Sequence, residues 1–73
     1  MTENEMIGAW ISGKRKERGY TQQYVAERLH TTKATVSRWE SGKRTIYAKD
    51  FIDYCHAIGM NSDEIQEIVN LWH

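Results

Sequence analysis

Apolar residues along this chain return every three or four positions and break off at polar or glycine-bearing stretches, a pattern that predicts helices and no strands. Met6, Ile7, Trp10 and Ile11 mark a first helix from about Glu5 to Glu17, with Gly19 as its stop. Two short helices follow within TQQYVAERLHTTKATVSRWE, residues Thr21 to Glu40. One sets Val25, Ala26 and Leu29 on a single face, and the other sets Val36 and Trp39. After a loop at Ser41-Gly42-Lys43-Arg44, where Gly42 suits a left-handed helix end, a fourth helix is expected over about Ala48 to Ala57. It inserts Phe51, Ile52 and Cys55, and Ile58 closes it before Gly59. Its start at Tyr47 lacks a capping group. A fifth, about Ser62 to Leu71, begins at Asn61 with Glu64 three residues on, the spacing of a capping box. It carries Ile65, Ile68, Val69, Leu71 and Trp72. The expected fold is all-α, a five-helix bundle in one domain over residues 1–73.

The second and third helices carry the most information. Thr21 and Thr32 stand where an N-cap is needed, because a threonine oxygen takes an orphan backbone N–H at a helix start. A turn of three or four residues between the two helices sets them at a steep angle and leaves the second free to enter a DNA groove. The small Ala26 suits a close approach of two helix backbones. With Val36 and Trp39 turned inward, Lys33, Ala34, Thr35, Ser37 and Arg38 are left outside. Arg38 can donate two hydrogen bonds to a guanine edge, Lys33 can reach guanine or phosphate, and Ala34 can meet a thymine methyl. The pattern reads as a DNA-binding helix-turn-helix.

Net charge is zero over the 73 residues, which at first argues against a nucleic-acid partner. The distribution reverses that. All ten Lys and Arg lie at or before Lys49 against five glutamates, whereas the five carboxylates from Asp50 onward meet no basic residue. The two segments therefore carry +5 and −5, and such a dipole presents one face to phosphates. Chains of this size bury roughly 60 to 65% of their unfolded surface, so stability is expected to be modest or shared with a partner. Apolar runs of at most three residues cannot span a bilayer, and the acidic, polar start MTENEM does not resemble a secretion signal. A single cysteine, Cys55, allows no intrachain disulfide and suits a reducing, cytoplasmic setting.

From Ile7 to about Ile65 the chain resembles the Xre family, the lambda-repressor-like helix-turn-helix domains that include Cro and many phage repressors. GYTQQYVAERL, TTKATVSRWESGKR and AIGMNSDEI carry the resemblance at the family's spacing. It implies that Gln22 contacts a phosphate and braces the recognition helix. It also implies that Lys33, Ala34, Thr35, Ser37 and Arg38, with Thr32 at their start, face the major groove. Lys43 and Arg44 are then placed to grip the sugar-phosphate backbone, and Arg15 and Glu40 occupy the positions of a family ion pair. His30 stands where the family usually has glycine, so the turn is expected in a geometry a side chain tolerates. Thr45-Ile46 lie where proline is common, and Trp10 holds a usually polar position.

These readings imply double-stranded operator DNA as partner, with no cofactor and no small-molecule ligand. Residues Ile65, Ile68, Val69 and Trp72 are more apolar surface than so short a helix easily covers alone, and are expected to form a homodimer face. The cluster Lys14-Arg15-Lys16-Arg18 reads as a solvated helix end favourable to the dipole, Arg15 apart. Metal binding is not expected, because Cys55 and His56 diverge as neighbours on a helix and no paired ligand spacing occurs with His30 or His73. Nor is catalysis, since nothing supplies Ser37 and His30 with an orienting acid or an oxyanion hole. The expected function is a sequence-specific repressor of the short Cro-like type, with a restriction-modification controller or autoregulating antitoxin as related readings. The competing class is a protein-interaction adaptor docking through the fifth helix.

Overall fold

The computed structural model describes residues 1–71, and these form five helices and no strand. They are α1 (Glu3–Glu17), α2 (Gln22–Arg28), α3 (Lys33–Ser41), α4 (Ala48–Ala57) and α5 (Ser62–Leu71). Four begin on a side chain that accepts a backbone N–H from the first turn. Thr21 Oγ1 takes the Tyr24 N–H at 3.0 Å, and Thr32 Oγ1 takes that of Thr35 at 3.1 Å. Asn61 and Glu64 form the expected reciprocal box, each side chain accepting the other's backbone N–H at 2.9 and 3.2 Å. Such caps are worth about 1 kcal/mol each. The fourth helix starts at Tyr47 with no side-chain cap, and Asp50 in its first turn complements the dipole instead.

The first helix begins two residues earlier than expected. Thr2 and Glu5 make a second capping box, with Glu5 N–H to Thr2 Oγ1 at 3.1 Å and Thr2 N–H to Glu5 Oε1 at 2.8 Å. Thr followed three residues later by Glu is a helix-start signal that the apolar spacing alone does not include.

Ile11, Val25, Ala26, Val36, Phe51, Tyr54 and Cys55 are wholly buried, joined by Trp39, Ile46, Ile58, Met60 and Ile65. Each large side chain among them contributes about 1.5–3 kcal/mol by leaving water. Trp10 is half-buried, its ring stacked on Phe51 at 5.9 Å between centroids. Ile46, in the region where the family commonly has proline, plugs the core from the α3–α4 connection. Ile52 departs from expectation. It is 37% exposed, because Phe51, Tyr54, Cys55 and Ile58 already make the buried stripe and residue 52 falls beyond its edge.

The third helix packs on both α1 and α2. Its crossing with α1 is so close that a Cβ on Gly8 would stand 2.4 Å from the Trp39 carbonyl oxygen and 2.5 Å from that of Glu40. Only a residue without a side chain lets these two backbones meet. At the other side of the turn, His30 corrects the expectation of a relaxed geometry. Its φ is +55°, in the left-handed region, and it is the non-glycine residue there among the described ones. The reason is the hydrogen bonding. His30 N–H reaches Glu27 O at 3.3 Å and Thr31 N–H reaches Ala26 O at 2.9 Å, the paired bonds that close a helix through a left-handed residue.

Candidate nucleic-acid interface

Thr32 fixes where α3 starts, and Val36 and Trp39 fix which way it faces. Both are buried, so Lys33, Ala34, Ser37 and Arg38 stand in solvent, with Thr35 half-buried at the edge. Among the described residues, no hydrogen bond or ion pair engages the side chains of Lys33, Ser37 or Arg38. Their polar groups remain free for an outside partner. Thr35 is different: its hydroxyl lies 3.0 Å from that of Thr32, so both threonines also serve the helix start. At the far end, Ser41 Oγ donates to the Arg38 carbonyl at 3.2 Å, and Gly42 turns the chain at φ +79°. Lys43 and Arg44 follow directly, both exposed, while their backbone N–H groups return to Arg38 O at 3.0 and 3.2 Å. The loop is thereby bound to the end of the helix it follows.

Gly42 is held on two counts. A side chain there would suffer the left-handed φ and would also meet Glu5 Cγ at 2.6 Å and Glu5 Cα at 2.7 Å. Nearby, Asn4 Nδ2 donates to Thr45 Oγ1 at 2.8 Å. The start of α1 thus braces the loop that carries Lys43 and Arg44.

Behind α3 lies a charged network. Arg15 Nε and Nη2 donate to Glu40 Oε2 and Oε1 at 2.8 and 2.9 Å, and Nη1 donates to the Tyr20 carbonyl at 2.8 Å. Both side chains are under 10% exposed, and the forked geometry is the strong form of the pair. Gln22 Nε2 donates to Glu40 Oε1 at 3.0 Å, and the Tyr54 hydroxyl donates to Glu40 Oε2. Burial opposes a charge on Glu40, but the hydrogen bonds from Arg15, Tyr54 and Gln22 outweigh it and hold the carboxyl below its ordinary range. The bond to Glu40 outweighs burial and raises Arg15. Burial, then the bond to Glu40, drives the Tyr54 phenol well above the usual tyrosine range, so it remains a donor. One network therefore joins α1, α2, α3 and α4 beneath the exposed face.

A family model described as helix-turn-helix matches residues 6–65. The chain belongs to the helix-turn-helix family. That membership supports DNA binding in transcription regulation as its role. Among solved structures, the fold is similar to the crystal structure of the clp gene regulator ClgR from C. glutamicum. The TM-score is 0.81 at 23% identity, over 90% of this chain and 86% of that one. No curated protein matches in sequence. Within the matched segment, Gln22 begins α2, and α3 is the helix that follows the turn.

Some expected residues fall elsewhere. Arg18, read as part of a solvated helix end, donates to Glu64 at 2.6 Å and ties α1 to the start of α5. That bond adds to the Asn61 N–H in lowering the Glu64 carboxyl. Of the expected dimer face, Ile65 is 6% exposed and belongs to the core of the monomer. Ile68 and Val69 are half-buried against the core, and Trp72 lies outside the described residues. Cys55 is enclosed, with its thiol pushed up to about 12 by burial, while His56 beside it is exposed. Two functional supports escaped the sequence reading, Gly8 and Tyr54. Gly8, Ile11 and Arg15 lie on one stripe of α1 at i, i+3 and i+7, a signal that was available. Tyr54 falls on the same stripe as Phe51 and Ile58. No helix among the described residues is long and apolar enough to cross a membrane.

Proposed function

We propose that the chain is a sequence-specific transcriptional repressor of the short Cro-like type, binding a palindromic operator as a homodimer. The observation that carries the reading is the exposed, uncommitted set Lys33, Ala34, Ser37 and Arg38 on a helix whose opposite side is locked into the core. Arg38 reads a guanine edge, Lys33 reaches guanine or phosphate, and Ala34 and the edge residue Thr35 meet a thymine methyl or a base edge. Lys43 and Arg44 grip the backbone beyond the recognition helix. At the start of α2, Gln22 has one amide N–H on Glu40 and the other left for a phosphate oxygen. Repression follows by occlusion of the polymerase.

A dimer of such modules places two recognition helices about 34 Å apart along one side of the duplex. Ile68 and Val69, half-buried, are the apolar residues that α5 offers to a second copy. Selection from random duplex DNA by the purified protein tests the reading. The expected yield is a two-fold symmetric site with half-sites one helical turn apart, bound with an affinity that drops steeply as salt rises. Selection that enriches no site refutes the proposal. An affinity indifferent to salt favours a protein-docking adaptor instead.

A further inference from the structure

We infer that Tyr54, a buried core residue of α4, is a positioning residue for the phosphate contact of Gln22. The inference rests on the reading of Gln22 given above. A carboxylate accepts about four hydrogen bonds, and Glu40 has four donors: two from Arg15, one from Gln22 and one from Tyr54. Because Glu40 can only accept, its Oε1 fixes which end of the Gln22 amide faces inward. Nε2 must turn to Glu40, so the second N–H of that group diverges from the ion pair, and Gln22 is only half-buried there. The aim of the amide is thus set by where Oε1 stands.

Arg15 does not set that position alone. Its fork reaches both oxygens from one side only, and its third bond, from Nη1 to the Tyr20 carbonyl, steadies the guanidinium rather than the far side of the carboxylate. The Tyr54 hydroxyl fastens Oε2 from the far side, and the Tyr54 ring is wholly buried. The Ile11 carbonyl lies 3.2 Å from the same hydroxyl as an alternative acceptor. Without the hydroxyl, Oε2 loses one of its two donors and the carboxylate is held from the Arg15 side alone, so that Oε1, and the Gln22 amide bonded to it, can shift. A group in the centre of the core thereby governs a contact on the surface.

The test uses the full chain and its selected operator, with single phosphates replaced in turn by uncharged methylphosphonates. The phosphate that Gln22 serves is the one whose replacement weakens the wild type but not Gln22→Ala. Tyr54→Phe keeps the ring and removes only the hydroxyl. The expected result is a loss of about three- to tenfold in affinity, with the penalty at that one phosphate cut to half or less and the penalties elsewhere unchanged. A uniform loss at every phosphate, or an intact penalty at this one, makes Tyr54 merely structural and overturns the inference. If no phosphate depends on Gln22, the Gln22 reading falls and takes this inference with it, while selection of an operator still upholds the wider function. Should Tyr54→Phe fold poorly, the comparison is repeated with His30→Gly in both proteins, which removes the left-handed strain at the turn without touching the network.

Discussion

Glu40→Gln probes the network that fixes α3 to the other helices. The change is nearly isosteric but removes the negative charge, leaving Arg15, 7% exposed, as a cation without its counterion. The new amide has one oxygen to share among Arg15, Tyr54 and Gln22, and its NH2 must face one of those donors. Removing one partner of a buried pair costs about 3–5 kcal/mol, whereas a domain of this size has about 4–11 kcal/mol in total. Urea unfolding followed by far-UV circular dichroism should therefore show a midpoint cut by about a quarter or more. The pH dependence supplies an internal control. Folding lowers the Glu40 carboxyl, so its contribution is complete above the ordinary carboxylate range of about 4.3 and is lost as pH falls through the folded value. The gap between wild type and variant should close in acid. A gap that stays constant into strong acid, or a variant as stable as the wild type at neutral pH, refutes the argument.

Other outcomes follow from the same geometry. Arg38→Ala should cost about 1–3 kcal/mol in operator binding and relax preference at one base pair, measured by mobility shift on single-substituted sites. Lys43→Ala should instead weaken all sequences evenly and lower the slope of log affinity against log salt by about one. Gly8→Ala should destabilise by about 1–3 kcal/mol, because the added methyl meets the Trp39 and Glu40 carbonyls rather than movable side chains; an unchanged urea midpoint contradicts this. His30→Gly should gain about 0.5–1 kcal/mol, the relief at φ +55° exceeding the extra freedom of an unfolded glycine, and a lower melting temperature would count against the left-handed assignment.

Features that act within one turn of chain were legible in the residues. Thr21, Thr32 and Asn61 cap the helices they were expected to cap, and α4 runs from Ala48 to Ala57 as its apolar spacing implied. Gly42 adopts the left-handed turn its position suggested. What escaped depends on partners far away in sequence. The need for glycine at residue 8 comes from carbonyls more than thirty residues on, and Tyr54 looks like any core aromatic until Glu40 is placed beside it. Arg18 reads as solvated until α5 folds back to offer Glu64. His30 shows the converse. Its side chain disfavours the conformation, yet the hydrogen bonds that close α2 impose it.

The hold of Glu5 and Asn4 on the Gly42–Thr45 loop has a practical corollary. Thr2 is itself engaged in capping, so a purification handle joined ahead of it would emerge beside the two cations assigned to the sugar-phosphate chain. Its bulk or charge would then distort any measured operator affinity without altering a single recognition residue. Tagged and tag-cleaved protein should be compared before an affinity is ascribed to Lys43 or Arg44.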